Sequence, residues 1–164
     1  MRRLNFERYN TRWECPTPMD KRLSDSDIEE FILCLKPVIF HMMFNEKFNY
    51  SSKPVFNILS TIRPDLVIPT LLEKFKSSIL SLTESHSLKA CLVTLKHCSR
   101  PLVENYPMEV IQILKDVIPL IDINDIWKTD DILSLIKSIF EMIWLIEFNG
   151  GSETKYVKLL IISI

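Results

Sequence analysis

The sequence predicts an all-α fold built of antiparallel helix pairs, and three observations carry that expectation. Apolar residues recur about one helical turn apart in segment after segment, and no useful length of chain alternates with period two. Prolines stand at the starts of apolar runs, at Pro54, Pro64 and Pro107, where a missing N–H leaves no helical bond unmade. Short polar breaks separate the runs, so consecutive helices must fold back on one another.

Residues 1–23 lack periodicity and read as an extended N-terminal arm. Arg2, Arg3, Arg8, Arg12, Lys21 and Arg22 face Glu7, Glu14 and Asp20, while Trp13 and Pro16-Thr17-Pro18 suggest a segment that packs on a surface. Its basic excess is slight, and a solvated or partner-facing arm fits it better than a nucleic-acid arm. Helices are expected to fill residues 24–147. Ser26 to Glu29 has capping-box spacing, with Ser24 an alternative cap, and Ile28, Phe31, Ile32, Leu35, Ile39 and Met42 then define one apolar face. Pro37 lies inside that pattern and should kink or end the helix.

Pro54 can open a short helix carrying Val55, Phe56, Ile58, Leu59 and Ile62. Pro64 can open the next, with Leu66, Val67, Leu71, Leu72, Phe75, Ile79 and Leu82. After a break at Thr83-Glu84-Ser85, a helix near 86–99 places Leu88, Cys91, Leu92, Leu95 and Cys98 on one stripe. Pro107 opens another, with Val110, Ile111, Leu114, Val117, Ile118 and Ile121. Asp122 to Asp125 breaks the pattern again, and Thr129-Asp130 can cap a last helix bearing Ile132, Leu135, Ile136, Ile139, Ile143 and Ile146. Residues 148–164 read as a truncated apolar tail.

Composition narrows the function. With 164 residues, 47% hydrophobic and 25% charged, the chain is an ordinary single globular domain. A net charge of −1 gives no field that would gather nucleic acid or an acidic membrane surface. The only two glycines, Gly150 and Gly151, cannot supply a phosphate-cradling loop. The longest apolar region, 132–148, is interrupted by Lys137, Glu141 and Glu147, which argues against a membrane span. The N-terminus shows no apolar core of secretory length. Cys15, Cys34, Cys91 and Cys98 form no CxxC pair and read as reduced, buried thiols of a soluble intracellular protein.

No catalytic, cofactor-binding or metal site is expected. Asp25, Asp27, Glu29 and Glu30 cluster at a helix start, where the dipole favours anions, and read as a solvated first turn rather than an acid/base pair. His97 beside Cys98 has Val93, Thr94, Arg100 and Pro101 at the helical offsets where a metal site would need further ligands. His41 flanks a core helix. An enzyme would need a site assembled from scattered residues.

Pro64-Asp65-Leu66-Val67-Ile68 and Pro107-Met108-Glu109-Val110-Ile111 both read Pro-x-x-Val-Ile at a helix start, 43 residues apart (64 to 107). Each begins a helix, a polar break and a second helix. Two helices at a period of about 40–47 residues are the mark of HEAT-type arrays, so an α-solenoid of about three repeats is expected, with a compact helical bundle lacking a repeat as the alternative. One helix pair cannot bury its apolar face alone, whereas stacked pairs share a core.

The stretch from Ile62-Arg63-Pro64-Asp65 to Pro69, followed by Leu82-Thr83-Glu84-Ser85-His86-Ser87-Leu88, resembles the middle HEAT region of the giant proteasome activator, the subunit 4 family of the proteasome activator complex. Trp13 with Pro16 and Pro18, Leu23 to Asp27, and Asp122-Ile123-Asn124-Asp125 add to the resemblance, which covers roughly residues 1–147. It implies a segment of a very long α-solenoid that caps the proteasome core particle and opens its gate without ATP. It further implies nuclear and cytoplasmic residence, acetylated histones as partners in degradation, and roles in DNA repair and spermatogenesis. Family members dock through a C-terminal motif with a penultimate tyrosine; this sequence has Ser163 there, and no stretch resembles the family's acetyl-lysine-reading region. The chain is therefore expected to be a fragment that does not itself stimulate the core particle. Its apolar end, Tyr156 to Ile162, is expected to make it self-associate. A generic HEAT scaffold for another protein is the other reading.

Overall fold

The computed structural model describes residue 18 and residues 21–45, 47–80 and 85–148. Expectations for Trp13, Cys15, Pro16, Leu82, Thr83-Glu84 and the tail from Tyr156 to Ile162 fall outside the described residues. The described chain forms seven α-helices in order: α1 Asp25–Phe44, α2 Asn49–Ile62, α3 Pro64–Leu80, α4 Ser85–His97, α5 Ser99–Asn105, α6 Pro107–Val117 and α7 Ile126–Phe148, with a 3₁₀ turn at Ile118–Leu120. No strand occurs among the described residues, and the fold is an all-α stack of helix pairs.

The helix starts follow local chemistry. The cap of α1 is Ser24, not Ser26: Ser24 Oγ accepts the Asp27 N–H at 3.1 Å, and Asp27 Oδ2 accepts the Ser24 N–H at 2.8 Å. This leaves Glu29 free for a contact elsewhere. Asp125 caps α7 by accepting the Lys128 N–H at 3.0 Å, one turn before the expected Thr129 cap. Thr129 instead secures the preceding loop, its Oγ1 donating to the Asp122 carbonyl at 2.8 Å and accepting the Asp122 N–H at 3.1 Å.

Three prolines sit inside helices: Pro37 in α1, Pro54 in α2 and Pro69 in α3. Each removes the N–H that would bond the carbonyl four residues earlier. All three are exposed, and so are the residues owning those carbonyls, Leu33, Tyr50 and Asp65. Water can meet the orphaned oxygens there, so Pro37 does not end α1 and Pro54 does not start α2. The chain has already turned at Asn45, whose carbonyl accepts the N–H groups of Phe48 and Asn49.

α1 packs on α2 through an edge-to-face pair, Phe40 and Phe56, with ring centroids 5.0 Å apart at 89°. α3 packs on α4, and α4 also touches α1, α2 and α7, which makes it the central element. It buries Leu88, Ala90, Cys91, Leu92, Thr94 and Leu95. α7 lies over α4 and α5 with Ile132, Leu135, Ile139 and Ile143 buried, and α6 rests against α5 and α7. The 43-residue match is reproduced at both helix starts: Pro64 and Pro107 are first residues, and Val67 and Val110 are buried. The next position differs, Ile68 being buried and Ile111 half-buried, because α6 turns Ile113 inward.

Other expectations shift by a residue or more. Phe31 is exposed, while Phe40 and Met43 take core places on α1. Ile118 and Ile121 are exposed beyond the end of α6. α5 was not expected: seven residues, with Pro101 in the first turn, are too short to show a periodic stripe. Small buried hydroxyls bond the backbone of their own helix. Ser52 Oγ donates to the Asn49 carbonyl at 2.8 Å, Ser78 Oγ to the Phe75 carbonyl at 2.8 Å, and Thr94 Oγ1 to the Ala90 carbonyl at 2.8 Å.

Candidate functional site

Several of the titratable residues noted in the sequence are held by local bonds or by burial. Asp27 is held below the usual carboxylate range by its side-chain and backbone bonds to Ser24. Glu29 faces Arg63, and the acidic turn does not converge on one point. Burial pushes the Cys91 thiol up to about 11 and the Cys98 thiol up to about 12, so both stay protonated and packed. Cys34 is exposed, contrary to the expectation of burial. His97 stands at the exposed end of α4, held below the ordinary imidazole value by partial burial and the charges of Lys53 and Lys96. Among the described residues, no three His, Cys, Asp or Glu side chains gather as a metal would need. No described helix is long and apolar enough to cross a membrane.

Arg63, the single residue between α2 and α3, explains the most distinctive motif in the sequence. Its Nε donates to Asp65 Oδ1 at 3.1 Å and its Nη2 to Asp65 Oδ2 at 2.8 Å, a two-pronged contact that only a guanidinium can make. Nη1 reaches Glu29 Oε2 on α1 at 3.4 Å. One side chain thus fixes the α2–α3 turn and ties it to α1. Arg63-Pro64-Asp65 is a corner device, not a site for chemistry.

The most site-like feature is a cleft of about 570 Å³ where α2, α4 and the start of α7 meet. Asn49, Tyr50 and Lys53 line it from α2, Lys89 from α4, and Trp127 and Asp131 from α7. Tyr50 and Trp127 are large aromatics left 83% and 78% exposed. Asp131 is half-buried, with Lys89 Nζ 4.0 Å from its Oδ2. Burial raises its carboxyl above the ordinary value even though Lys89, Lys53 and Lys96 all pull the other way. Its parts lie on three helices spread over 83 residues (49 to 131), so nothing along the chain signals this cleft.

A helix stack whose neighbours share one core, with turns clamped by Arg63 and Asp125, defines a helical-repeat protein of the α-solenoid class. Residues 1–162 match the family described as "Proteasome activator complex subunit 4, mid HEAT repeats region", and the chain belongs to that family. Proteasome activator complex subunit 4B of Danio rerio is 29% identical over 162 residues, covering 94% of this chain and 9% of that protein. Proteasome activator complex subunit 4 of Homo sapiens is 29% identical over 157 residues, covering 92% of this chain and 8% of the human protein. The Xenopus laevis subunit 4 is likewise 29% identical over 157 residues, with 92% of this chain and 9% of the relative covered. The chain therefore spans less than a tenth of the length of these relatives.

Proposed function

We propose that this chain is a non-catalytic segment of an ATP-independent proteasome activator, contributing helix pairs to a solenoid that caps the proteasome core particle and opens its gate. The match of residues 1–162 to the mid HEAT region carries this reading. A passive, shape-giving role agrees with where its chemistry goes: the buried thiols are protonated, and Arg63 and Asp125 are engaged in turns. The core particle would be met through the longer protein, in the nucleus and cytoplasm. Degradation of acetylated histones, DNA repair and spermatogenesis are the processes in which we place that protein.

A chimera tests the reading. The segment of the human subunit 4 that matches this chain is replaced by this chain, and cleavage of a fluorogenic peptide by purified core particle is followed. The chimera should stimulate cleavage as the unaltered relative does, whereas deletion of the segment should abolish stimulation. The isolated chain should add nothing to the core particle's own rate. A soluble chimera no better than the deletion would contradict the proposal.

A further inference from the structure

The outward side of α7 carries large apolar side chains that the shared core leaves uncovered. Leu133 is 51% exposed, Phe140 48% and Trp144 63%. With Lys137 they recur at steps of four, three and four residues, which places all four on one face of the helix. That face turns away from the stripe of Ile132, Leu135, Ile139 and Ile143, which is buried where α7 lies over α4 and α5. Glu141 stands one turn beyond Lys137 on the same flank, its Oε1 3.8 Å from the lysine Nζ, and both side chains are exposed. Exposed apolar residues edged by charge mark an interaction surface. The pattern also reads nearly alike from either end. Leu133 and Trp144 are its outer members, Lys137 and Phe140 its inner ones, and the ion pair sets a cation and an anion in line along one flank.

We propose that this face takes the same face of a second copy of the chain, the two α7 helices packing antiparallel about a two-fold axis between Lys137 and Phe140. In that register Leu133 of each copy meets Trp144 of the other, and the methylene stem of Lys137 lies on Phe140. A two-fold axis brings like flanks together, so the two ion pairs align head to tail and Lys137 of each copy faces Glu141 of the other. A parallel pairing would instead set lysine beside lysine and glutamate beside glutamate. A purely acidic or purely basic partner would match one member of the Lys137–Glu141 pair and repel the other. The exposed parts of these five side chains amount to on the order of 1,000 Å² over both copies, near the lower end of specific interfaces, which fits a reversible dimer rather than an obligate one. This inference stands apart from the proteasome reading, since it rests on the surface of α7 alone.

Sedimentation velocity of the full chain over a series of concentrations tests this. The parent should pass from monomer to dimer as concentration rises. Lys137→Glu and Glu141→Lys should each weaken the dimer by about tenfold, because each lines the joined flanks with like charges. An equimolar mixture of the two single variants should dimerise at least as well as the parent, and the double variant with the pair reversed should recover the parent's affinity. Phe140→Ala should weaken the dimer by about tenfold through its apolar centre. Lys137 and Glu141 are exposed, so the charge variants should keep the helical circular dichroism of the parent. The proposal is overturned if the parent stays monomeric throughout or grows steadily beyond a dimer. It is equally overturned if the folded single variants associate like the parent, or if mixing them gains nothing over either alone. Association through the apolar sequence from Tyr156 to Ile162 would be indifferent to these charges and would give those last two results.

Discussion

Arg63 shows how one residue can hold a corner. Its fork grips Asp65 while a third nitrogen reaches Glu29 on a different helix. The charges are partly solvated, so each contact is modest, and geometry rather than charge should decide its worth. Arg63→Lys keeps the charge but loses the planar fork, and should lower stability by about 0.5–1 kcal/mol in urea unfolding. Equal stability of the two proteins would show that any cation suffices. Asp131 supplies the pH-dependent counterpart. Its carboxyl is raised by burial, with Asp130 adding to the rise and Lys89, Lys53 and Lys96 opposing it. The folded state therefore holds that proton more tightly than the unfolded state. Ionisation costs stability as pH climbs from the ordinary value of 3.8 through the raised one, and the loss persists at neutrality. Asp131→Asn should melt at a higher temperature than the parent at pH 7, and the gap should close near about pH 3, where both are neutral. A lower melting temperature at pH 7 would mean that the lysines outweigh burial.

At the scale of elements, the sequence spoke most clearly where a helix start carries its own chemistry. Pro64 and Pro107 begin α3 and α6 as their spacing predicted, and the Asp122 to Asp125 break lies where a network of turn bonds holds it. It spoke least clearly about interior prolines, since Pro37, Pro54 and Pro69 are tolerated by exposure to water, a property of packing rather than of local sequence. α5 was hidden for the opposite reason, its burial of Leu102 and Val103 being settled by neighbours rather than by periodicity. The helices should also differ in how deeply they are embedded. Phe75 of α3 is wholly buried, so Phe75→Ala should cost about 3–5 kcal/mol. Leu114 of α6 is 6% exposed on a helix at the edge of the stack, and Leu114→Ala should fall toward the lower end of about 2–5 kcal/mol. Denaturant midpoints of the two variants check the order; a Leu114 cost below about 1 kcal/mol would mark α6 as peripheral.

The described helices form a run of pairs that share one buried core. The repeat, the helical class and most of the core were legible from Leu92, Leu95, Val110, Ile132 and Ile139, whose spacing alone marks an inward face. What stayed illegible was lateral arrangement: that α4 would become the hub touching α1, α2, α3 and α7, and that Asn49, Lys89 and Asp131 would meet in one cleft. Nothing in a single helix encodes which neighbour covers it. The shared core is the central claim, because stacked repeats gain stability from their interfaces as much as from within. Native-state hydrogen exchange on the Ile139→Ala variant tests it most directly, since Ile139 is fully buried on α7 where that helix crosses α4 and α5. The substitution should cost about 2–5 kcal/mol, and the Leu92 and Leu95 amides on α4 should lose protection by the same amount as those of α7. Loss of protection confined to α7, with α4 exchanging as in the parent, would contradict a core shared between pairs.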